Sequence, residues 1–334
     1  MNNENAHQTN QQTNAPLHNT NIIVLFVMDS SNIQTTNSTG SASSDTTDNS
    51  SLIIPSKRDI FLTTYRRQRF SLPDPIMHYI AKNPKNAKVY QKMIRSCKYF
   101  FTKNPLLIIS HLTFDGYGWR TWIKNDLKIV DINRFSSKLW IKESLSVSTE
   151  NVSIVASSIV SKIYRSDFKI LTLLYQSISL NDLLIFCSSV NGLTLKRVAV
   201  KNYDDTVVPF EKVIEQLPKV KTINYTFTNP SNNTSENTLK ELWKIPHFSN
   251  YDYFCLYNIP ESFDIESFNF FMKNTRIRLF FSNTISEEYK ARLMVIVDQI
   301  IESKNREYKP PYIYFRGNNL AKSNELYYIH LFSK

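Results

Sequence analysis

Residues 170–200 read ILTLLYQSISLNDLLIFCSSVNGLTLKRVAV: an apolar strand-like run (Ile170–Tyr175), an amphipathic segment (Leu180–Ser188) and a second apolar run (Leu193–Val200). The same alternation extends outward in both directions. Strands are predicted at Leu106–Phe114, Leu139–Val147, Val220–Phe227, Tyr253–Asn258, Arg276–Phe281 and Tyr312–Phe315. Helices are expected between them, at about Val152–Ile163, Pro209–Leu217, Thr238–Lys244, Ile265–Asn274 and Ser286–Ser303. The last is the clearest, with Tyr289, Leu293, Ile296, Val297 and Ile300 on one face and Glu287 and Glu288 in the first turn.

Strands alternating with helices imply an α/β chain built on a parallel sheet. Strand starts from Leu139 onward recur at about 23 to 36 residues, which overlaps the spacing of leucine-rich-type repeats. The units are irregular, and none carries a clean L-x-x-L-x-L-x-x-N pattern. One helix per strand at similar spacing favours an open solenoid over a doubly wound sheet.

Composition narrows the function classes. The chain has 334 residues, 42% of them hydrophobic, with 21 Phe and 18 Tyr. That suffices for one large domain or two small ones around a sizeable core. Forty Lys and Arg oppose 29 Asp and Glu, a net charge of +11. Residues 1–56 hold no Lys or Arg and four acids, which leaves 40 bases against 25 acids (+15) in the remainder. A basic surface suits acidic partners, among them nucleic acid, anionic lipid and acidic protein faces. Cys97, Cys187 and Cys255 share no C-x-x-C spacing, so neither a disulfide framework nor a zinc site is expected. A reducing compartment, cytoplasmic or nuclear, is the simpler reading. The longest apolar run, Ile22–Met28, is too short to span a membrane and lacks the basic flank of a signal peptide. With five glycines in all, Walker and dinucleotide fingerprints are absent.

Residues 1–51 are rich in Asn, Ser, Thr and Gln and are expected to be disordered. From Asp59 the texture changes. Ser71-Leu72-Pro73-Asp74 reads as a helix entry with Ser71 as N-cap, and Leu72, Ile76 and Ile80 repeat every four residues as one helical face. Asn83-Pro84 stops that helix. A second is expected from about Lys88 to Phe101, ended by Asn104-Pro105. The pair forms a hairpin more apolar than its two helices can conceal.

The segment Phe70-Ser-Leu-Pro-Asp-Pro-Ile-Met-His-Tyr-Ile80, with Val89-Tyr90 and Ser96-Cys-Lys-Tyr-Phe-Phe101, resembles an F-box: a Leu-Pro opening, apolar helix positions and an apolar-Cys-Lys-aromatic close. More broadly, the stretch from about Phe61 to Phe332 is similar to nematode F-box-like proteins. The phrases that carry this likeness include Tyr79–Pro84, Ser96–Pro105, Ser179–Val190, Val208–Lys221, Ile245–Phe248, Ile259–Phe268 and Val297–Ser303. Composition sets off a tail over 1–58, which has no counterpart in that family; the resemblance implies an F-box-like helical region over 59–105 and a leucine-rich-like α/β repeat domain over 106–334. It also implies a non-catalytic role: a substrate receptor that links a protein target to a Skp-type adaptor and a cullin ubiquitin ligase. Leu72 and Pro73 match the adaptor-docking opening, and Ile76, Ile80, Ile94 and Cys97 match its adaptor-facing or core positions. One departure is evident: an F-box has a third helix, whereas Asn104-Pro105 leads here into a β-like run.

Two alternatives stand beside this reading. Leu72, Ile76 and Ile80 could instead close the end of the solenoid as a cap, which leaves a binding scaffold without adaptor contact. The second alternative is a basic nucleic-acid-binding protein. For it speaks the interleaved Lys98-Tyr-Phe-Phe-Thr-Lys103; the cluster Lys57, Arg58, Arg66, Arg67 and Arg69 reads instead as a solvated linker, a contact for an acidic partner surface or a nuclear-import signal. Against it, those aromatics fall at core spacing and no nucleic-acid module signature is present. No two of the six histidines have metal-ligand spacing, and Asp204-Asp205 and Glu287-Glu288 point different ways on any regular element. No catalytic residue, cofactor or metal site is therefore expected.

Overall fold

The computed structural model describes residues 69–123, 126–151, 153–228, 234–267, 275–303 and 308–332. The polar tract with its Ile22–Met28 run, the basic residues Lys57, Arg58, Arg66 and Arg67, and most of the helix expected over Ile265–Asn274 lie outside them. The chain divides into two compact units, with the boundary between Pro105 and Leu106.

In the first unit three short helices follow one another: α1 (Asp74–Lys82), α2 (Ala87–Ser96) and α3 (Lys98–Lys103). Two expectations are corrected. Ser71 is not the N-cap; Pro73 takes that position and offers no side-chain bond. A residue before proline is driven out of the helical region, so Leu72 stays outside and the helix begins at Asp74. The single helix expected to reach Phe101 is broken at Cys97, which is extended (φ −156°, ψ 129°). Its backbone N–H closes α2 on Met93, and its thiol sulfur accepts from the Tyr99 N–H to open α3. Asn104 ties the unit together: its side-chain amide donates to the Ala81 carbonyl at 3.0 Å, and its own carbonyl accepts from the Tyr90 hydroxyl.

The second unit is a mixed α/β fold with a large, mostly parallel sheet. In chain order its strands are β1 (Leu106–Phe114), β2 (Trp119–Ile123), β3 (Asp126–Val130), β4 (Lys138–Ser148), β5 (Ile163–Ser166), β6 (Ile170–Leu174), β7 (Ser177–Ser179), β8 (Gly192–Lys196), β9 (Ala199–Lys201), β10 (Thr222–Thr226), β11 (Tyr253–Ile259), β12 (Arg276–Phe281) and β13 (Tyr312–Tyr314). The sheet runs β13-β12-β11-β10-β8-β6-β4-β1-β2-β3, with β5 on β4, while β7 and β9 pair separately. From β1 and β4 through to β13 all neighbours are parallel; the β1-β2-β3 end is antiparallel. The helices are α4 (Val155–Ser158), α5 (Leu180–Phe186), α6 (Phe210–Glu215), α7 (Thr238–Lys244), α8 (Glu287–Glu302) and α9 (Leu320–Phe332).

Sequence parity explains the packing. Register places Leu171, Leu193, Ile223, Phe254 and Ile277 in one file, and Leu173, Leu195, Tyr225, Leu256, Leu279 and Ile313 in the next. Every one of these side chains is buried, and almost all alternate residues on the same strands are half-buried or exposed. Successive side chains point to opposite sides of a sheet, so one face of this sheet is covered and the other open. The strand order accounts for this. When each parallel strand pairs with the next one in the chain and the crossovers keep one hand, every connection returns over the same side. Aromatic rings fill that side: Phe210 packs on Tyr225, Phe227 and Phe254, and Phe248 and Tyr251 pack on Phe254.

Backbone corners end the strands. Tyr175 and Arg197 follow β6 and β8 with φ of 58° and 53°, and Asn258 near the end of β11 has φ of 54°. That left-handed turn stops β8 at Lys196, short of the predicted Val200, and starts β9 in a new direction. Side-chain amides stabilise the corners. Buried Gln176 accepts from the Ala156 N–H and donates to the Leu174 and Tyr175 carbonyls, and Asn258 donates to the Phe227 carbonyl. The helix predicted over Val152–Ile163 shrinks to α4 and a 3-10 turn at Val160–Lys162. Its Val, Ile and Ser residues are weak helix formers, and the Ser158 hydroxyl bonds back to the Val155 carbonyl.

Leu195→Ala, in the middle of the covered face, is expected to cost about 3 kcal/mol of stability. Thr194→Ala, its neighbour on the open face, should stay within ~0.5 kcal/mol of the native protein. Urea unfolding of the two variants measures the contrast.

Candidate functional site

Two surfaces stand out, one in each unit. In the helical unit the residues matched to the F-box opening lie on the outside. Leu72 and Ile76 are each 46% exposed, Tyr79 is 68% exposed, and Pro73 and Val89 are exposed as well. The buried residues of α1 are Met77 and Ala81, one position on from the predicted stripe. Ile80 is half-buried, while Ile94 and Cys97 are buried. The six matched residues thus separate into an outward group (Leu72, Pro73, Ile76), an intermediate (Ile80) and two interior side chains. Phe70 is held close by edge-on contact with the Tyr99 ring at 4.9 Å. Lys98-Tyr-Phe-Phe-Thr-Lys103 forms α3, with Phe100 buried and Tyr99 packed on Phe100.

The second surface is the open face of the sheet. Register places three files across it: Ile170, Gly192, Thr222, Tyr253 and Arg276; Thr172, Thr194, Asn224, Cys255, Arg278 and Tyr312; and Leu174, Lys196, Thr226, Tyr257, Phe280 and Tyr314. At the β6–β10 end Thr, Asn and Gly residues are joined by Ile170, Leu174 and Lys196, while the β11–β13 end is aromatic and carries two arginines. Tyr257 and Phe280 stack at 4.6 Å with their planes 10° apart, and Phe280 also meets Tyr312 and Tyr314. Burial, then contact with the Cys255 thiol, pushes the Tyr257 phenol up to about 12, and Tyr253 shifts the same way. The Cys255 thiol is itself raised by burial, so it sits protonated between two phenols and offers no thiolate.

Helix α9 reaches this end of the face. The Arg278 guanidinium lies over the Tyr253 and Tyr327 rings, at 5.9 and 5.8 Å. Its Nε–H donates to His330 Nε2 at 3.2 Å, and His330 Nδ1 lies 2.8 Å from the Pro310 carbonyl. A carbonyl only accepts, so the proton is on Nδ1, and Nε2 keeps the lone pair that Arg278 needs. Burial, followed by the nearby Arg278 and Arg276, holds the His330 pKa below its ordinary value and keeps the ring neutral.

Sequence reasoning missed this cluster. Arg278 lies in a predicted strand, but its partners Tyr327 and His330 belong to α9, which was not predicted. The available signal was the polar parity of Thr172, Thr194, Asn224 and Arg278 beside the apolar files.

Other candidates resolve as ordinary structure. Asp204 accepts from the Thr206 N–H and hydroxyl in a turn, Asp205 pairs with Lys201, and Glu287 pairs with Lys290 on α8. Cys187 lines a pocket of about 250 Å³ with Leu184, Ser188, Gln216, Leu217, Pro218 and Lys219. Burial pushes its thiol up to about 12. Among the described residues no group of three or more His, Cys, Asp or Glu could hold a metal ion, and no helix is long and apolar enough to cross a membrane.

Compared with protein-family models and with curated proteins, the chain gives no significant match.

The neutral His330 predicts a pH dependence with a definite sign. Its folded-state pKa is depressed, so the unfolded chain takes up this proton first as pH falls through about 6.5. Stability linked to His330 is therefore complete above that value and is lost below it. His330→Gln removes this component. The urea midpoint of the variant should drop less between pH ~7.5 and ~5.5 than that of the native protein. An equal drop in both would mean that the ring is not held neutral.

Proposed function

We propose that the chain is a non-catalytic F-box-like substrate receptor. On this reading the helical unit docks on a Skp-type adaptor of a cullin ubiquitin ligase, and the sheet unit, a leucine-rich-like α/β solenoid, holds a protein target. The observation that carries the reading is the outward position of Leu72, Pro73, Ile76 and Tyr79 in the Leu-Pro segment that resembles an F-box opening. Large apolar side chains clustered on the surface of so small a helical unit favour a protein partner. Three short helices in the unit, α1 to α3, also bring it nearer to the F-box pattern than the two predicted from sequence. The monotonic strand order from β4 to β13, with one face covered, supports the solenoid reading of the second unit. Its open face offers an extended surface for a target, and any catalysis would belong to a partner enzyme.

The test is calorimetry of the full chain against a Skp-type adaptor, native beside a Leu72→Asp, Ile76→Asp double variant. Both residues are exposed, so the fold should survive the change, which circular dichroism checks. Removal of two apolar anchors is expected to weaken binding by roughly a hundredfold or more. Absence of binding by the native chain would overturn the receptor reading and leave a binding scaffold of the same fold.

A further inference from the structure

The open face is chemically lopsided. Along its three files from β6 to β13 the charged residues are Lys196, Arg276 and Arg278, and no position carries a carboxylate. Lys196 and Arg276 are exposed. Arg278 is half-buried, fixed by His330 and by the Tyr253 and Tyr327 rings. Elsewhere in this unit basic side chains commonly sit beside acids, as in Arg120–Asp115, Arg165–Asp167, Lys290–Glu287 and Lys322–Asp298. On this face none of the three cations pairs with a carboxylate among the described residues. Beside them stand Tyr257 and Tyr314, 36% and 44% exposed, with Phe280 between.

We propose that the target presents an acidic segment to this face, its carboxylates seated on Arg276 and Arg278 and its apolar side chains on the Tyr257–Phe280–Tyr314 rings. The inference rests on the reading of the chain as a target receptor and names the class of target. Charge complementarity decides the sign of the partner: unpaired cations at an interface repel a basic surface and favour an acidic one. Arg278, held in one orientation, loses little freedom on binding and suits the planar carboxylate. A nucleic-acid strand is disfavoured by the same geometry. Tyr257 and Phe280 are stacked on each other across neighbouring strands, so one face of each ring is already occupied, whereas base stacking needs a free ring face. Three cations also make a patch, not a track for successive phosphates.

The test is selection of a phage-displayed random peptide library on the full chain and on a Lys196→Glu, Arg276→Glu variant. Both substitutions are at exposed strand positions, and circular dichroism and adaptor binding monitor the fold. Peptides retained by the native chain should be enriched in Asp and Glu next to aromatic or aliphatic residues. A peptide so selected should bind the variant about tenfold more weakly. Recovery of peptides without acidic enrichment, or equal binding to the variant, would overturn the proposal. Displacement of the peptide by oligothymidylate at comparable concentration would overturn it in favour of nucleic acid. Adaptor binding on the same samples separates the two readings. Retained adaptor binding without acidic enrichment removes only the target class, and acidic enrichment without adaptor binding removes only the receptor role.

Discussion

Parity along the parallel strands is the constraint on which the second unit depends. A parallel sheet covered on both faces carries nearly continuous apolar runs, because both sides of each strand are buried. Here only one parity is fully apolar: Leu171 and Leu173, Leu193 and Leu195, Ile223 and Tyr225, Phe254 and Leu256, Ile277 and Leu279. Stacked in register, these pairs form two continuous ridges on which the helices rest. A slip of one residue in β8 would carry Leu193 and Leu195 to the open side and bring Thr194 and Lys196 into the core. Each fully buried Leu or Phe contributes about 2 to 3 kcal/mol, so the register is held by many such terms acting together.

The open face follows from the same constraint. Most side chains of the other parity, Cys255 excepted, stay half-buried or exposed and are less constrained by the core. Along the middle file, from Thr172 and Thr194 to Arg278 and Tyr312, that face changes from small and polar to cationic and aromatic. Its cationic end is ordered by α9, which supplies a neutral His330 as acceptor for Arg278. The helical unit obeys a different logic. Too small to enclose all its apolar residues, it buries Met77, Tyr90, Ile94 and Phe100 and leaves Leu72, Ile76 and Tyr79 outside.

Much of this was legible in the sequence. The α/β class, the largely parallel sheet and the positions of β1, β4, β6, β10, β11, β12 and α8 follow from apolar runs set between capped helices. The helix Thr238–Lys244 was predicted with its observed bounds. Errors fell where local pattern was weak or was overruled. The hairpin β2-β3 was missed because Leu127 and Ile129 are exposed and give no one-sided alternation. Helix α9 was missed because its buried residues, Ser323, Leu326 and His330, form no apolar stripe. The break at Cys97 was missed because Val89, Met93, Cys97 and Phe100 keep helical spacing straight through it.

The sequence by itself determined which side of each strand is apolar, since the alternation is written into each short run and water enforces it. It also determined the Leu-Pro opening. Tertiary structure alone decided which apolar side chains of the helical unit go inside: Met77 and Ala81 are one residue away from the stripe Leu72, Ile76 and Ile80 that helical spacing picks out. Tertiary structure also assembled the Arg278 cluster. Its members come from β11, β12, β13 and α9, as much as 77 residues apart from Tyr253 to His330, and no local pattern links them. Long-range register is a property of the whole sheet, settled only when every strand has found its neighbour.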